Sequence, residues 1–190
     1  MNIDIASLLT AFTFIFLAEL GDKTQIATIM LSSRSSAIPV FSGAMLAFLL
    51  IDGLSAIIGG KIINFIDCKW INLISGLVFI FLGFLSFISK NEKINFKNQK
   101  ISFFNTFFII SLMELGDKTQ ITSIILAAEL CSPIIVFIGI MLAFSIITGI
   151  GIIFGMKILK LLPKKYLKIL TSILFILFGF FFIHNTIKIF

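Results

Sequence analysis

One histidine, two cysteines and three prolines are spread over 190 residues, and only 13% of the residues are charged. Each shortage excludes something. Cys68 and Cys131 form no CxxC pair, and with a lone histidine there is no His/Cys cluster for a zinc or redox motif. A soluble domain carries charge on about a quarter of its residues and is half apolar or less. Here 59% of residues are hydrophobic, mean hydropathy is +1.17, and phenylalanine alone fills 24 positions. Polar sequence is equally scarce, so little is left for a soluble domain; residues 91–100 are the one stretch long enough for a linker. The N-terminus lacks the basic n-region of a signal peptide and its apolar run outlasts an h-region. It is expected to be a first permanent span with no organelle-targeting extension before it.

What is present is a series of apolar runs of about 20 residues, each long enough to cross a bilayer. The expected fold is an all-α integral membrane protein of six transmembrane helices, near residues 5–31, 40–62, 71–89, 101–128, 134–158 and 167–187. Pro39 and Pro133 mark the start of the second span in each half, as suits a residue that fits poorly inside a helix. The series is also duplicated. Glu19–Ile26 reads ELGDKTQI, and Glu114–Ile121 reads the same 95 positions later. At a spacing of 96, Gly43, Met45, Leu46, Ala47 and Phe48 match Gly139, Met141, Leu142, Ala143 and Phe144. Gly59, Lys61, Gly83 and Phe84 match Gly155, Lys157, Gly179 and Phe180 at that same spacing. The chain therefore divides into a first three-span repeat, 1–90, a cytoplasmic linker, 91–100, and a second three-span repeat, 101–190.

The formal charge of +6 does not indicate nucleic acid, because most of the lysines sit between apolar runs and no basic face or aromatic platform accompanies them. Their placement sets orientation instead. Arg34, Lys90, Lys93, Lys97, Lys100, Lys157, Lys160, Lys164, Lys165 and Lys168 fall on one side, against Lys61, Lys69 and Lys188 on the other. The side with ten should be cytoplasmic, which puts both termini outside a plasma (inner) membrane. Three spans per half then make the halves cross in opposite directions, as two inverted repeats with a site at the midplane between them.

Glu19 and Asp22, and likewise Glu114 and Asp117, lie midway along their spans. A charge there costs at least roughly 2.5–3.5 kcal/mol by insertion scales. If the segment is helical, Glu19, Asp22 and Lys23 share one arc; Gly21 and Gly116 could equally let the helix break and expose carbonyl oxygens. Four carboxylates, with hydroxyls from Thr24 or Thr119 and amides from Gln25 or Gln120, make an oxygen-rich site suited to a hard divalent ion. Four acids against Lys23 and Lys118 leave a formal charge of −2, which one divalent cation or two protons would neutralise. The plainer reading takes Glu19–Lys23 and Glu114–Lys118 as i, i+4 ion pairs joining helices, though that leaves an excess of buried negative charge. The lysines themselves read as counter-ions that tune the acids, or as groups that touch the substrate.

Asp52 stands alone inside the second span, with Thr148 at the matching place. It serves either a proton or cation path or a packing hydrogen bond. Ser55, Ser145 and Thr148 are expected to bond neighbouring helices, and Gly43/Ala47, Gly139/Ala143 and Gly151/Gly155 to mark close helix packing. His184 is expected at the membrane interface. Cys68 and Cys131 read as free thiols, a disulfide being the alternative. The phenylalanines of the third and sixth spans read as lipid-facing or packing surface.

A duplicated E-x-G-D-[KR]-[TS], one copy per three-span half, resembles the GDT-one family of cation/proton exchangers, which includes Golgi, thylakoid and bacterial manganese or calcium transporters. Glu19, Gly21, Asp22, Lys23 and Thr24 match the first motif, and Glu114, Gly116, Asp117, Lys118 and Thr119 the second. The resemblance implies a secondary transporter, not an enzyme, that exports manganese, with calcium as the further candidate, against protons. The cation is then a substrate and no resident cofactor is implied. Glu19, Asp22, Glu114 and Asp117 would be its ligands; the residues themselves, apart from the resemblance, add Lys23, Thr24, Gln25, Lys118, Thr119, Gln120 and Asp52 as candidate secondary ligands or tuning groups. The long central loop of eukaryotic members has no counterpart in the short basic linker. Three rivals are an exporter of small organic solutes such as amino acids, an intramembrane aspartyl protease built on Asp22 and Asp117, and a channel.

Overall fold

Helix boundaries follow local chemistry. In the computed structural model, which describes residues 4–62, 64–88, 101–154 and 164–188, the helices are α1 (Ile5–Glu19), α2 (Lys23–Ser32), α3 (Ala37–Ile62), α4 (Cys68–Ile88), α5 (Phe103–Glu114), α6 (Lys118–Glu129), α7 (Pro133–Phe154) and α8 (Lys164–Lys188). No strand occurs among the described residues. Asp4 opens α1: its carboxylate accepts the amides of Ala6 and Ser7 and the Ser7 hydroxyl. Ser102 caps α5 by accepting the Asn105 amide at 3.3 Å. Pro133 begins α7, whereas α3 starts at Ala37, two residues before Pro39. First-turn amides have no intrahelical partner, so a proline costs little there.

α3, α4, α7 and α8 are each long and apolar enough to cross a bilayer, and α1 and α2 meet that test only together, as a pair bent by 71° at their break. The stretches expected as first and fourth spans, 5–31 and 101–128, are each two short helices joined at Leu20–Asp22 and Leu115–Asp117, which decides for the break that the sequence left open. The expected fifth span runs beyond Phe154, and the linker at 91–100 and several of the lysines expected to be cytoplasmic also fall outside the described residues.

The halves interlock. α3 packs on α5 and α6, α7 packs on α1 and α2, α3 meets α7, and α4 lies along α8. Small residues make the crossings close. A Cβ on Gly43 would stand 2.6 Å from the Phe103 carbonyl, and one on Gly139 would stand 2.7 Å from the Leu8 carbonyl. Phe103 and Leu8 are themselves 95 apart, so the same contact occurs twice. Phe48 and Phe144, also a matched pair, stack at 3.8 Å between centroids where α3 meets α7. Between α4 and α8, Phe79, Phe175 and Phe182 are buried. Phe81, Phe84, Phe87, Phe180 and Phe181 are more than half exposed, as a lipid-facing surface requires.

Ser55 and Ser145 return their hydroxyls to their own helices, at the Ile51 and Met141 carbonyls, though Ser145 also reaches Met45 Sδ on α3. A serine in a helix has a carbonyl four residues back within easy reach, so the expected bond to a neighbouring helix loses this competition. His184 is exposed. The Cys68 side chain, on which the expectation of two free thiols partly falls, lies outside the described residues.

Candidate functional site

Glu19-Leu20-Gly21-Asp22 is a tight turn between two helices. Leu20 is extended at φ −64°, ψ 111°, Gly21 has φ 80°, and the Asp22 amide returns to the Glu19 carbonyl at 3.0 Å. This is type II turn geometry, whose third position demands a positive φ and therefore favours glycine. Glu114-Leu115-Gly116-Asp117 repeats it, with Leu115 at φ −59°, ψ 116°, Gly116 at φ 77°, and the Asp117 amide to the Glu114 carbonyl at 3.0 Å. The arc that Glu19, Asp22 and Lys23 would share on one continuous helix does not form. Glu19 and Glu114 end their helices; Asp22 and Asp117 hold the N-cap positions of the next, where the Asp117 carboxylate accepts the Lys118 amide at 2.8 Å and Asp22 makes no side-chain cap bond.

The remaining motif side chains secure this turn. Gln25 Oε1 accepts the Gly21 amide, and Gln120 Oε1 accepts the Gly116 amide at 2.8 Å. Both glutamine oxygens, weighed above as amide ligands, thus satisfy amides that the break leaves exposed. Thr24 donates its hydroxyl to Glu19 Oε2 at 3.0 Å, and Thr119 to Glu114 Oε2 at 2.9 Å. Each glutamate keeps one oxygen, Oε1, buried with no hydrogen-bond partner among the described residues.

The lysines cross over. Lys23 Nζ lies 3.1 Å from Asp117 Oδ2, and Lys118 Nζ lies 3.3 Å from Asp22 Oδ1. Neither makes the i, i+4 pair with its own glutamate, because the turn between them removes the helical register that pair requires. Lys118 also donates to the Ala18 carbonyl at 3.2 Å. That carbonyl belongs to the open C-terminal end of α1, where the helix dipole favours a cation. Asp22 and Asp117 are thus each engaged by the lysine of the opposite motif.

The site therefore joins both motifs, but not as a finished cage. Among the described residues no three Asp, Glu, His or Cys side chains converge on a point where one ion could be held. Asp52 is fully buried on α3 and accepts the Ser123 hydroxyl of α6 at 3.2 Å. Ser123 was not singled out from sequence. The available signal was a hydroxyl at matched positions 95 apart, Thr28 and Ser123, on helices that carry the motifs.

A family model described as divalent cation/proton antiporter GDT1 matches the chain twice, over residues 7–94 and 102–189. The chain is 28% identical to GDT1-like protein 5 of Arabidopsis thaliana, over 92% of its own length and 96% of that protein's. It is 29% identical to a Vibrio cholerae protein named "Putative manganese exporter", over 88% of its own length and 85% of that protein's. A shorter match, 37% identical over 40% of the chain and 29% of the relative, is to a GDT1-like protein of Schizosaccharomyces pombe. No solved structure matches it.

Proposed function

Because the chain belongs to the GDT1 family of divalent cation/proton antiporters, we propose that it exports manganese, with calcium as a second substrate, from the cytosol in exchange for protons. The cation passes through a site built from Glu19, Asp22, Glu114 and Asp117. The observation that carries this reading is the position of Lys118. Its ammonium lies against the Asp22 carboxylate and the Ala18 carbonyl, while the charge of the fully buried Glu19 acts on it as well. A carboxylate, a helix-end carbonyl and a second buried carboxylate make an oxygen environment of the kind a hard divalent ion takes. The lysine is a tethered cation in that environment, and the substrate displaces it.

Charge balance supports exchange. Asp22 and Asp117 are matched by Lys118 and Lys23, which leaves Glu19 and Glu114 as two motif acids outside any ion pair among the described residues. Two protons or one divalent cation neutralise them, so one arrives as the other leaves. The crossed lysines, the twice-repeated glycine contacts and the swapped packing of α3 and α7 support two inverted repeats of three spans around this site. The lysine bias sets both termini outside and the export direction toward them. Manganese ranks first because the Vibrio cholerae relative carries that metal in its name.

The test is flux in liposomes of purified protein, with manganese, calcium and magnesium supplied separately, with and without a pH gradient. Manganese flux should depend on the gradient, release protons measurably, and vanish in E19Q and E114Q. Flux that ignores the gradient, or survives in E114Q, overturns the reading.

A further inference from the structure

We infer that the outer face of α5, beside the second motif, is an alternative seat for the α4–α8 pair, which in this structure rests on α1. Shuttling between the two seats covers one motif turn while it bares the other to water. The inference rests on the inverted-repeat exchanger reading above. α4 and α8 form one unit. A Cβ on Gly76 would stand 2.8 Å from the Gly179 carbonyl, and one on Gly179 would stand 2.8 Å from the Gly76 carbonyl, so the two backbones touch. Phe14 of α1 inserts into this unit, against Phe79 of α4 and Phe175 and Phe178 of α8, at 5.2, 5.1 and 4.6 Å between centroids. Thr171 of α8 gives its hydroxyl to the Leu17 carbonyl at 3.5 Å. That carbonyl is one of those that the end of α1 leaves without an intrahelical partner.

Ser75 matches Thr171 at a spacing of 96, and Leu112 matches Leu17 at 95. Ser75, however, is engaged elsewhere: α4 meets α6, and Ser75 hydrogen-bonds the Glu129 carboxylate at the far end of that helix. A unit centred between the halves would give matched residues matched partners, so this one is displaced toward the first motif. The displacement shows at the turns. Leu112 is 72% and Leu115 59% exposed, and Gly116 is exposed, whereas Leu17, Leu20 and Gly21 are half-buried. Midway along a span, irregular backbone is tolerated only against protein or water, never against lipid. The second turn therefore fronts water while the pair sits on α1. In the alternative seat Ser75 takes the Leu112 carbonyl, Thr171 comes opposite Arg34, the counterpart of Glu129, and the first turn is bared instead. Inverted repeats permit such rocking of one bundle against another around a fixed site. A stationary pair would leave the second turn bare throughout, and an exchanger has to open two routes in turn.

The experiment is double electron–electron resonance on full-length protein in nanodiscs, with flux and thermal unfolding alongside. Spin labels go on native Cys131, which is exposed, and on I88C at the other end of α4, where Ile88 is 72% exposed, in a C68S background. Two distances are expected. The second should be longer by on the order of 10 Å, about two turns of helix, because α4 withdraws from Glu129 beside Cys131. T171V, which loses its hold on Leu17, should raise the ratio of long to short about 2- to 10-fold. L112W, which crowds the α5 face, should abolish the long distance and the flux together while unfolding as the parent does. A single distance with and without Mn2+, at acid and neutral pH and in T171V, overturns the inference. So does a long distance that persists in folded L112W. Gradient-dependent manganese flux with a single distance removes the shuttling alone. Two distances biased by T171V, without such flux, keep the shuttling and remove the cation reading.

Discussion

Thr24 and Thr119 each spend a hydroxyl proton on one oxygen of a motif glutamate and leave the other oxygen bare. Replacing either threonine by valine removes a buried hydrogen bond, worth about 0.5–1.5 kcal/mol for a neutral pair and more for a charged one. T24V and T119V should therefore lower thermal stability modestly and to similar extents, while both weaken Mn2+ binding. Unequal effects would show that the two motifs are not equivalent in use. Asp4, outside the membrane segments, gives a separate pH signature. Hydrogen bonds from the Ser7 hydroxyl and amide, then from the Ala6 amide, hold its carboxyl below the usual carboxylate range despite slight desolvation. A depressed folded value means that the cap contributes fully above the unfolded value and is lost as pH falls through the lower folded one. Amide hydrogen exchange at Ala6 and Ser7 should thus stay slow until pH drops below the ordinary aspartate range, and D4A should abolish that dependence. Among these residues the four motif acids were legible because charge is conspicuous in an apolar span. The partner of each lysine was not, since Lys23 and Lys118 have identical local sequence and only tertiary docking selects the distant aspartate.

At the level of elements, the motif is a turn that ends one helix and begins another. The sequence left this open because a lone glycine can sit inside a helix at a modest cost. The deciding features are the extended Leu20 and Leu115, the positive φ of the glycines, and a glutamine four residues on that accepts the glycine amide. Gly116 has no atom within 4 Å of where a Cβ would be. G116A therefore meets no clash and loses only the backbone preference, about 1–2 kcal/mol. Gly43 and Gly139 are the opposite case, with a backbone carbonyl inside 3 Å of the added carbon. G43A and G139A must push α3 from α5 and α7 from α1, and overpacking of this kind costs about 1–3 kcal/mol. G149A, whose nearest neighbour would be the Phe41 ring at 3.9 Å, should be nearly neutral. Thermal unfolding of the four variants in one detergent checks the ranking.

For the whole molecule, the duplication announced two similar halves but not how they embrace. Residue spacing reports kinship; it carries no record of which helix of one half lies on which helix of the other. In the structure α3 and α7 each rest on the motif helices of the opposite half. Neither half can cover its own apolar faces or neutralise its own aspartate. Residues 1–94 and 95–190 produced as separate chains should each be inactive and unstable, yet restore gradient-dependent manganese flux when co-expressed. Recovery of flux by one segment alone would contradict this interdependence.

The crossed lysines also bear on inheritance. Losing Lys118 strands Asp22, not the aspartate beside it, so a compensating change for K118A has to arise in the first motif, 95 positions upstream. Neither copy can drift without penalising its twin, whereas the scaffold answers only to shape. Eight successive residues accordingly remain identical in the two copies, while Arg34 has Glu129 for a counterpart. A suppressor screen begun in one motif should yield its revertants in the other.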